Sequence, residues 1–317
     1  MDIGDVKKVS VIGSGSMGHG IAQEFAVAGF EVVMHDLAQE KLDRAVQRIR
    51  TNLSELAEWG VFPVAELQPA LSRIKTTTSF EEAAIDADFL VEAVFEDLKL
   101  KQKVFRTADG FCPARTLLAS NTSTLMPSSL ASATNRPDRV LVAHFYNPPY
   151  LMPLVEVARG PKTSNETVAT VVGLLKSMGK SPVVLEKEIL GFIATRLQIA
   201  LFREAFQIVE RGAATPQDVD IAVKTSFGRR LPIAGPFEMC EFLDGWDQIE
   251  SIGNYVFSDL DSSKQLSPVI AEMIRRNELG VKTGKGFYEW TPEKTDEWRR
   301  RMARNLLSFL PKRKQAK

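Results

Sequence analysis

His144 closes an apolar run, Val140-Leu-Val-Ala-His144, and Glu156 lies inside the next one, Leu154-Val-Glu156-Val. Between them stands Asn147-Pro-Pro, a turn that reverses the chain because proline fixes φ and removes a ladder donor. Two strands joined in this way bring the imidazole and the carboxylate side by side. A carboxylate in that place orients the ring and raises its proton affinity, as a general base working near neutrality requires. Only three histidines occur in 317 residues, so one inside a buried strand is not filler. The spacing alone fits a core histidine held by a structural glutamate equally well.

A second set of residues gives the pair a context. The run Lys8-Val-Ser-Val-Ile enters Gly13-Ser-Gly15-Ser-Met-Gly18 and then a helical pattern over 21–28. Gly13 permits the tight turn, Gly15 lets a pyrophosphate approach the backbone, and Gly18 allows the helix to pack close to the strand. The helix N-terminus adds free N–H groups and a positive dipole end. A second strand, Glu31-Val-Val-Met-His35, ends in Asp36. A carboxylate at that spacing accepts from the adenine ribose 2′-hydroxyl and repels a 2′-phosphate, which favours NAD over NADP. A glycine-rich turn without a ligand is the plain alternative, and the strand–loop–helix context argues against it.

With these residues in place, the sequence resembles the L-3-hydroxyacyl-CoA dehydrogenases over nearly its whole length. The motifs that carry the likeness follow the glycine loop in order. They are Leu90-Val-Glu-Ala-Val-Phe-Glu96-Asp-Leu-Lys-Leu-Lys101, Ser120-Asn121-Thr122-Ser123, the His144 to Glu156 stretch, Gly191-Phe-Ile-Ala-Thr-Arg, Gly235-Pro-Phe-Glu238 and Lys282-Thr-Gly-Lys-Gly-Phe-Tyr288. The resemblance implies His144 as base, Glu156 as its partner and Ser123 as the hydroxyl that holds the substrate oxygen. It implies Glu96, Lys101, Asn147 and Lys282 as contacts of the nicotinamide cofactor, and a helical domain that forms a homodimer. One position departs from the pattern. Thr195 stands where the family usually has asparagine, so one stiff hydroxyl replaces two amide donors and a carbonyl at a substrate-orienting position.

The expected reaction is NAD-dependent oxidation of the 3-hydroxyl of an (S)-3-hydroxyacyl-CoA, such as 3-hydroxybutyryl-CoA, within fatty acid metabolism. Two alternatives remain. The first is a dehydrogenase of a free 3-hydroxy acid, L-gulonate or carnitine, since the Asn147-Pro-Pro-Tyr wording and the long tail are also similar to the lambda-crystallin and L-gulonate 3-dehydrogenase branch. The second is a crystallin-like protein that binds NAD without turnover. In acyl-CoA-using relatives the insertion after the second strand contacts the CoA nucleotide. Here Arg48 and Arg50 are the candidates, because guanidinium matches phosphate geometry. They fit a solvated helix face as well, and the segment's end, Glu55-Leu-Ala-Glu-Trp59-Gly-Val-Phe62, has no lysine.

The elements that must position these groups follow from periodicity. Strand patterns at 8–12, 31–35, 88–94, 116–120, 139–145, 153–158 and 182–186 alternate with helical ones, predicting an α/β Rossmann-type doubly wound sheet. The expected division is an NAD-binding domain over 1–188 and an all-helical dimerisation and substrate domain over 189–317. Residues 192–211 spread apolar side chains over more than half a helix circumference, which suits the centre of a bundle or a subunit interface. The tail carries Arg299, Arg300, Arg301, Arg304, Lys312, Arg313 and Lys314 among apolar residues, and reads as a terminal helix with a basic end. Lys+Arg and Asp+Glu both total 40, so no nucleic-acid or membrane partner is implied. Cys112 and Cys240, the two cysteines, make neither a disulfide framework nor a metal site. The first residues have no secretory pattern and no apolar run matches a membrane span, so a cytoplasmic enzyme is expected.

Overall fold

The computed structural model describes residues 3–309. Its centre is one eight-stranded sheet of order β3-β2-β1-β4-β5-β6-β7-β8. The strands are β1 (Lys8–Ile12), β2 (Glu31–His35), β3 (Ile74–Thr77), β4 (Phe89–Glu92), β5 (Leu117–Ser120), β6 (Val140–Phe145), β7 (Leu154–Arg159) and β8 (Ser181–Leu185). The first six run parallel in the doubly wound order 3-2-1-4-5-6. β7 turns back antiparallel to β6, and β8 runs parallel to β7.

Helices α1 (Gly18–Val27), α2 (Gln39–Glu58), α3 (Leu67–Ser72), α4 (Phe80–Ala84), α5 (Leu98–Phe111), α6 (Pro127–Ala131) and α7 (Asn165–Ser177) link the strands. Every residue of β4, β5 and β6 is buried, because helices cover both faces of the sheet. On one face Phe25 of α1 meets Phe89 and Phe145 edge-on at 5.9 and 6.2 Å. On the other, Val140 and Val142 of β6 join Phe105, Leu118, Leu130, Leu185 and Phe192 in one cluster. Strand periodicity puts His144 on this second face.

The strand expectations hold at seven places, and the helical insertion after β2 is present as α2 and α3. β3 was not expected. Its residues Lys75, Thr76 and Thr77 lack an apolar alternation, and as an edge strand it needs none.

The chain divides into two compact units. The second is Arg196–Asn305, and the residues on either side of it make the first. Helix α8 (Ala194–Glu210) starts in the first unit and supplies the opening helix of the second. It is followed by α9 (Pro216–Thr225), α10 (Pro236–Met239), α11 (Trp246–Val256), α12 (Pro268–Arg275) and α13 (Pro292–Leu307). No residue of α8 is buried, so the wide apolar arc read from its sequence stays largely open in the single chain. Phe242 is 87% and Ile233 86% exposed in the same unit. The tail forms the expected helix, with Trp298 edge-on to Trp290 at 6.2 Å. Its basic end at Lys312, Arg313 and Lys314 lies outside the described residues. Among the described residues no helix is long and apolar enough to cross a membrane, and no cluster of ligating side chains could hold a metal.

Candidate active site

The β6–β7 register sets His144 directly opposite Glu156. Such cross-strand partners share one face of the sheet, with Cβ atoms about 4.5–5.5 Å apart. The imidazole Nδ1 lies 2.9 Å from Glu156 Oε2, and both side chains are buried. The second oxygen, Oε1, accepts the backbone N–H groups of Ile193 at 2.9 Å and Ala194 at 2.8 Å, where α8 begins. Burial pushes this carboxyl up. The hydrogen bonds from His144, Ala194 and Ile193 outweigh that and hold it below its ordinary value. An ionised carboxylate only accepts, so Nδ1 donates to it, and in the neutral form of such a ring the lone pair is on Nε2. The geometry fixes the orientation of the ring, and a ring held in this way can serve as a base.

The glycine loop links β1 to α1. Gly13 has φ +101°, and a Cβ there would come within 2.7 Å of the Ala93 carbonyl oxygen. A Cβ on Gly18 would overlap the Gly13 carbonyl oxygen. Gly15 differs, being exposed with nothing within 4 Å of the place its Cβ would take. That open cradle at a helix N-terminus is what a pyrophosphate needs. Asp36 follows β2. Its Oδ2 accepts the Ser14 N–H at 3.0 Å and hydroxyl at 2.8 Å, while Oδ1 accepts the Leu37 N–H at 2.8 Å. Burial raises the Asp36 pKa, but these donors and Lys41, 3.4 Å away, outweigh it and hold the group below its ordinary value. The carboxylate still has lone pairs left for ribose hydroxyls. These residues fit NAD.

Past β4 lies a network only partly visible in the sequence. Lys101 is 1% exposed, and its ammonium meets Glu92 Oε1 at 2.7 Å, the Val94 carbonyl at 3.2 Å and Glu96 Oε2 at 3.3 Å. Glu92 is fully buried and also accepts from Ser120 Oγ and the Val94 N–H. Burial drives its pKa up against the pull of Lys101. Glu96 is exposed and accepts from the hydroxyls of Thr122 and Thr124. Lys101 thus ties a buried carboxylate to an open one. Glu92 stood inside a quoted motif without a role; its signal was a charge within an otherwise apolar strand.

β5 and β6 are parallel neighbours, so Ser123, just beyond β5, and His144, near the end of β6, come to the same edge of the sheet. Ser123 is half-buried, and its hydroxyl bonds no other described residue. Asn121 Oδ1 accepts the Phe145 N–H at 2.8 Å, fixing the backbone beside His144, a function the sequence reading did not assign. Asn147 is exposed on the turn that follows. Thr195 is half-buried in the first turn of α8, one residue beyond the Ala194 amide that holds Glu156. Arg48 and Arg50 are exposed on α2. Lys282 is exposed in the second unit, beside a turn closed by the Gly280 N–H on the Lys285 carbonyl.

Comparison with known proteins finds relatives along nearly the whole chain. Residues 8–189 match the model of the 3-hydroxyacyl-CoA dehydrogenase NAD binding domain, and residues 191–290 that of the 3-hydroxyacyl-CoA dehydrogenase C-terminal domain. The probable 3-hydroxybutyryl-CoA dehydrogenase of Bacillus subtilis is 38% identical, covering 92% of this chain and 99% of that protein. The 5-formyl-3-hydroxy-2-methylpyridine 4-carboxylate 5-dehydrogenase of Mesorhizobium japonicum is 32% identical over 96% of this chain and 97% of its own. A crystal structure of an enzyme of that name, described as an NAD+ dependent dismutase, superposes with a TM-score of 0.89 at 32% identity, covering 96% of this chain and 97% of that one. The (S)-3-hydroxybutyryl-CoA dehydrogenase of Ralstonia eutropha gives 0.74 at 32% identity over 90% of this chain and 100% of its own. The chain belongs to the 3-hydroxyacyl-CoA dehydrogenase family and is an NAD-dependent oxidoreductase.

Proposed function

We propose that the protein oxidises the 3-hydroxyl of an (S)-3-hydroxyacyl-CoA, such as 3-hydroxybutyryl-CoA, to the 3-keto compound. The observation that carries this reading is the pairing of His144 Nδ1 with an ionised Glu156, which leaves Nε2 as an oriented base. Nε2 takes the hydroxyl proton, and Glu156 balances the imidazolium charge that results. Ser123, whose hydroxyl is uncommitted, holds the substrate oxygen, and Thr195 contacts the substrate from the start of α8. Bound NAD supplies the hydride acceptor. Gly15 makes room for its pyrophosphate in the loop that Gly13 and Gly18 shape, Asp36 holds its adenine ribose, and Asn147, Glu96 and Lys282 meet the nicotinamide half. Lys101 acts there through Glu96, since its ammonium already faces three acceptors. Arg48 and Arg50 pair with the CoA phosphates.

A second reading, a free hydroxy acid or related carboxylate as substrate, is favoured by the backbone likeness. The pyridine carboxylate dehydrogenase superposes with a TM-score of 0.89, against 0.74 for the (S)-3-hydroxybutyryl-CoA dehydrogenase of Ralstonia eutropha. Thr195 and the lysine-free end of α2 point the same way. A panel of 3-hydroxybutyryl-CoA, free 3-hydroxybutyrate, L-gulonate and carnitine with NAD decides between the two. Thioester turnover far above that of every free acid supports the first reading, and the reverse order establishes the second.

The exposed apolar side chains Leu197, Ile199 and Phe202 of α8 support a homodimer built on the second unit. A domain boundary after residue 188, next to the junction of the two matched family models, and a cytoplasmic place in fatty acid metabolism complete the proposal.

A further inference from the structure

We infer that Phe192 is a positioning residue for the catalytic imidazole. This rests on the reading of His144 as base. Phe192 has φ +50°, a left-handed backbone that bulky side chains rarely adopt, and Gly191 before it has φ +74°. A phenylalanine persists in that conformation only where its surroundings over-determine it. Here they do. Its ring is 0% exposed, packed in the cluster of Leu130, Val142 and Leu185, and its centroid lies 5.8 Å from that of the His144 ring at 46°.

The same left-handed turn aims the next two amides, Ile193 and Ala194, at Glu156 Oε1. One residue therefore serves both halves of the pair, with its ring against the imidazole and its following backbone on the carboxylate. An imidazole that turned about its Cβ–Cγ bond would lose the 2.9 Å bond to Glu156 and carry Nε2 away from the substrate. The fixed, flat neighbour on the cluster side prevents that turn. A role in filling the core alone would not need an aromatic ring at a position where glycine or asparagine meets the backbone demand more easily.

The test uses the full-length enzyme loaded with NAD, labelled with ¹⁵N-histidine. Only three rings report, those of His19, His35 and His144. In the wild type the His144 Nδ1 proton is expected as a protected resonance. Phe192→Leu keeps apolar volume without the flat ring. It should make that proton exchange at least about tenfold faster and lower kcat by up to about 10²-fold on the best substrate of the panel, leaving NAD affinity unchanged. Phe192→Gly keeps the left-handed turn without a ring and should show the same losses.

Phe192→Leu with wild-type proton exchange overturns the inference, even if kcat has dropped, since that is a structural effect alone. So does Phe192→Gly with kcat within roughly threefold of wild type, which would leave the work to the backbone. NAD titration verifies that each variant is folded. If His144→Gln keeps wild-type turnover, the reading of His144 as base fails, and this inference with it. If His144→Gln is inactive while Phe192→Leu matches wild type, the inference alone falls.

Discussion

Glu156→Gln separates an oriented base from a structural contact, because the two carboxylate oxygens do different work. Oε1 receives two backbone N–H groups at 2.8 and 2.9 Å, and Oε2 receives the His144 Nδ1–H at 2.9 Å. An amide has one oxygen and one NH₂. Placing NH₂ toward Ile193 and Ala194 sets two donors against a donor in a buried site, at a cost of about 1–3 kcal/mol for each bond left unmade. Placing the oxygen there keeps both backbone bonds and turns NH₂ toward His144. Nδ1 must then accept, so the neutral ring carries its proton on Nε2, where the base should be. The second arrangement wins, and it holds the wrong tautomer. An oriented general base contributes roughly 10²–10⁴ in rate, and a comparable Asp→Asn change in a serine-protease triad costs about 10⁴. The expected loss in kcat is therefore about 10²–10⁴, or roughly 2.7–5.4 kcal/mol at about 1.36 kcal/mol per tenfold. Steady-state turnover at saturating NAD and substrate measures it, and ¹⁵N-histidine spectra read the tautomer. NAD affinity should not change. A Glu156→Gln enzyme within roughly threefold of wild-type kcat, or one whose proton stays on Nδ1, would refute the reasoning.

Calorimetry should give the wild type at least about a tenfold preference for NAD over NADP, or roughly 1.4 kcal/mol. Asp36→Ser should narrow that gap by removing the repulsive carboxylate and leaving Lys41 near the ribose; equal affinities in the wild type would defeat the claim. Gly15→Val should fold with a wild-type melting profile yet bind NAD weakly, whereas Gly18→Ala should destabilise the fold, since its Cβ would overlap the Gly13 carbonyl. Similar melting behaviour in the two variants would count against the cradle. Burial raises the Asp88 pKa, but the Lys8 and Lys7 N–H groups and Arg115 outweigh it and hold the group below its ordinary value of 3.8. Its stabilising effect is full above that value and is lost as pH falls through the folded pKa. Asp88→Asn should thus cost about 1–3 kcal/mol in denaturant melts near neutrality, and the deficit should shrink in acid. A deficit independent of pH would contradict this. Light scattering should report twice the chain mass, and Leu197→Glu with Phe202→Glu should return it to one; an already monomeric wild type would remove the dimer.

What the sequence made legible was local. The glycine loop, Asp36 and the His144 turn are each written within about two dozen residues of chain, and each lies at a strand end where a doubly wound sheet must place its ligand groups. The placement of His144 and Glu156 on neighbouring strands was legible for the same reason, whereas their register across residues 146–153 is seen only in the fold. What was hidden depends on groups that leave no mark in sequence. The amides that hold Glu156 Oε1 come from 37 and 38 residues away, and backbone N–H groups look alike at every position. β3 escaped notice because an edge strand needs no alternating pattern.

Lys101 illustrates the intermediate case. The family resemblance implied a contact with the cofactor, yet a lysine that finds Glu92, Glu96 and a carbonyl together can be buried almost completely. The cost of desolvating its charge is offset by ionic partners on two different segments. The sequence announced the positive charge and the two negative ones, but only the fold says that they meet. The apolar arc of α8 poses the same question in reverse. Periodicity reported that Leu197, Ile199 and Phe202 want cover, and the single chain leaves all three exposed, which is the ground for the proposed dimer. The groups proposed to react lie at strand ends, where sequence patterns are readable. The proposed substrate choice and dimer rest on surfaces that one chain's pattern does not close.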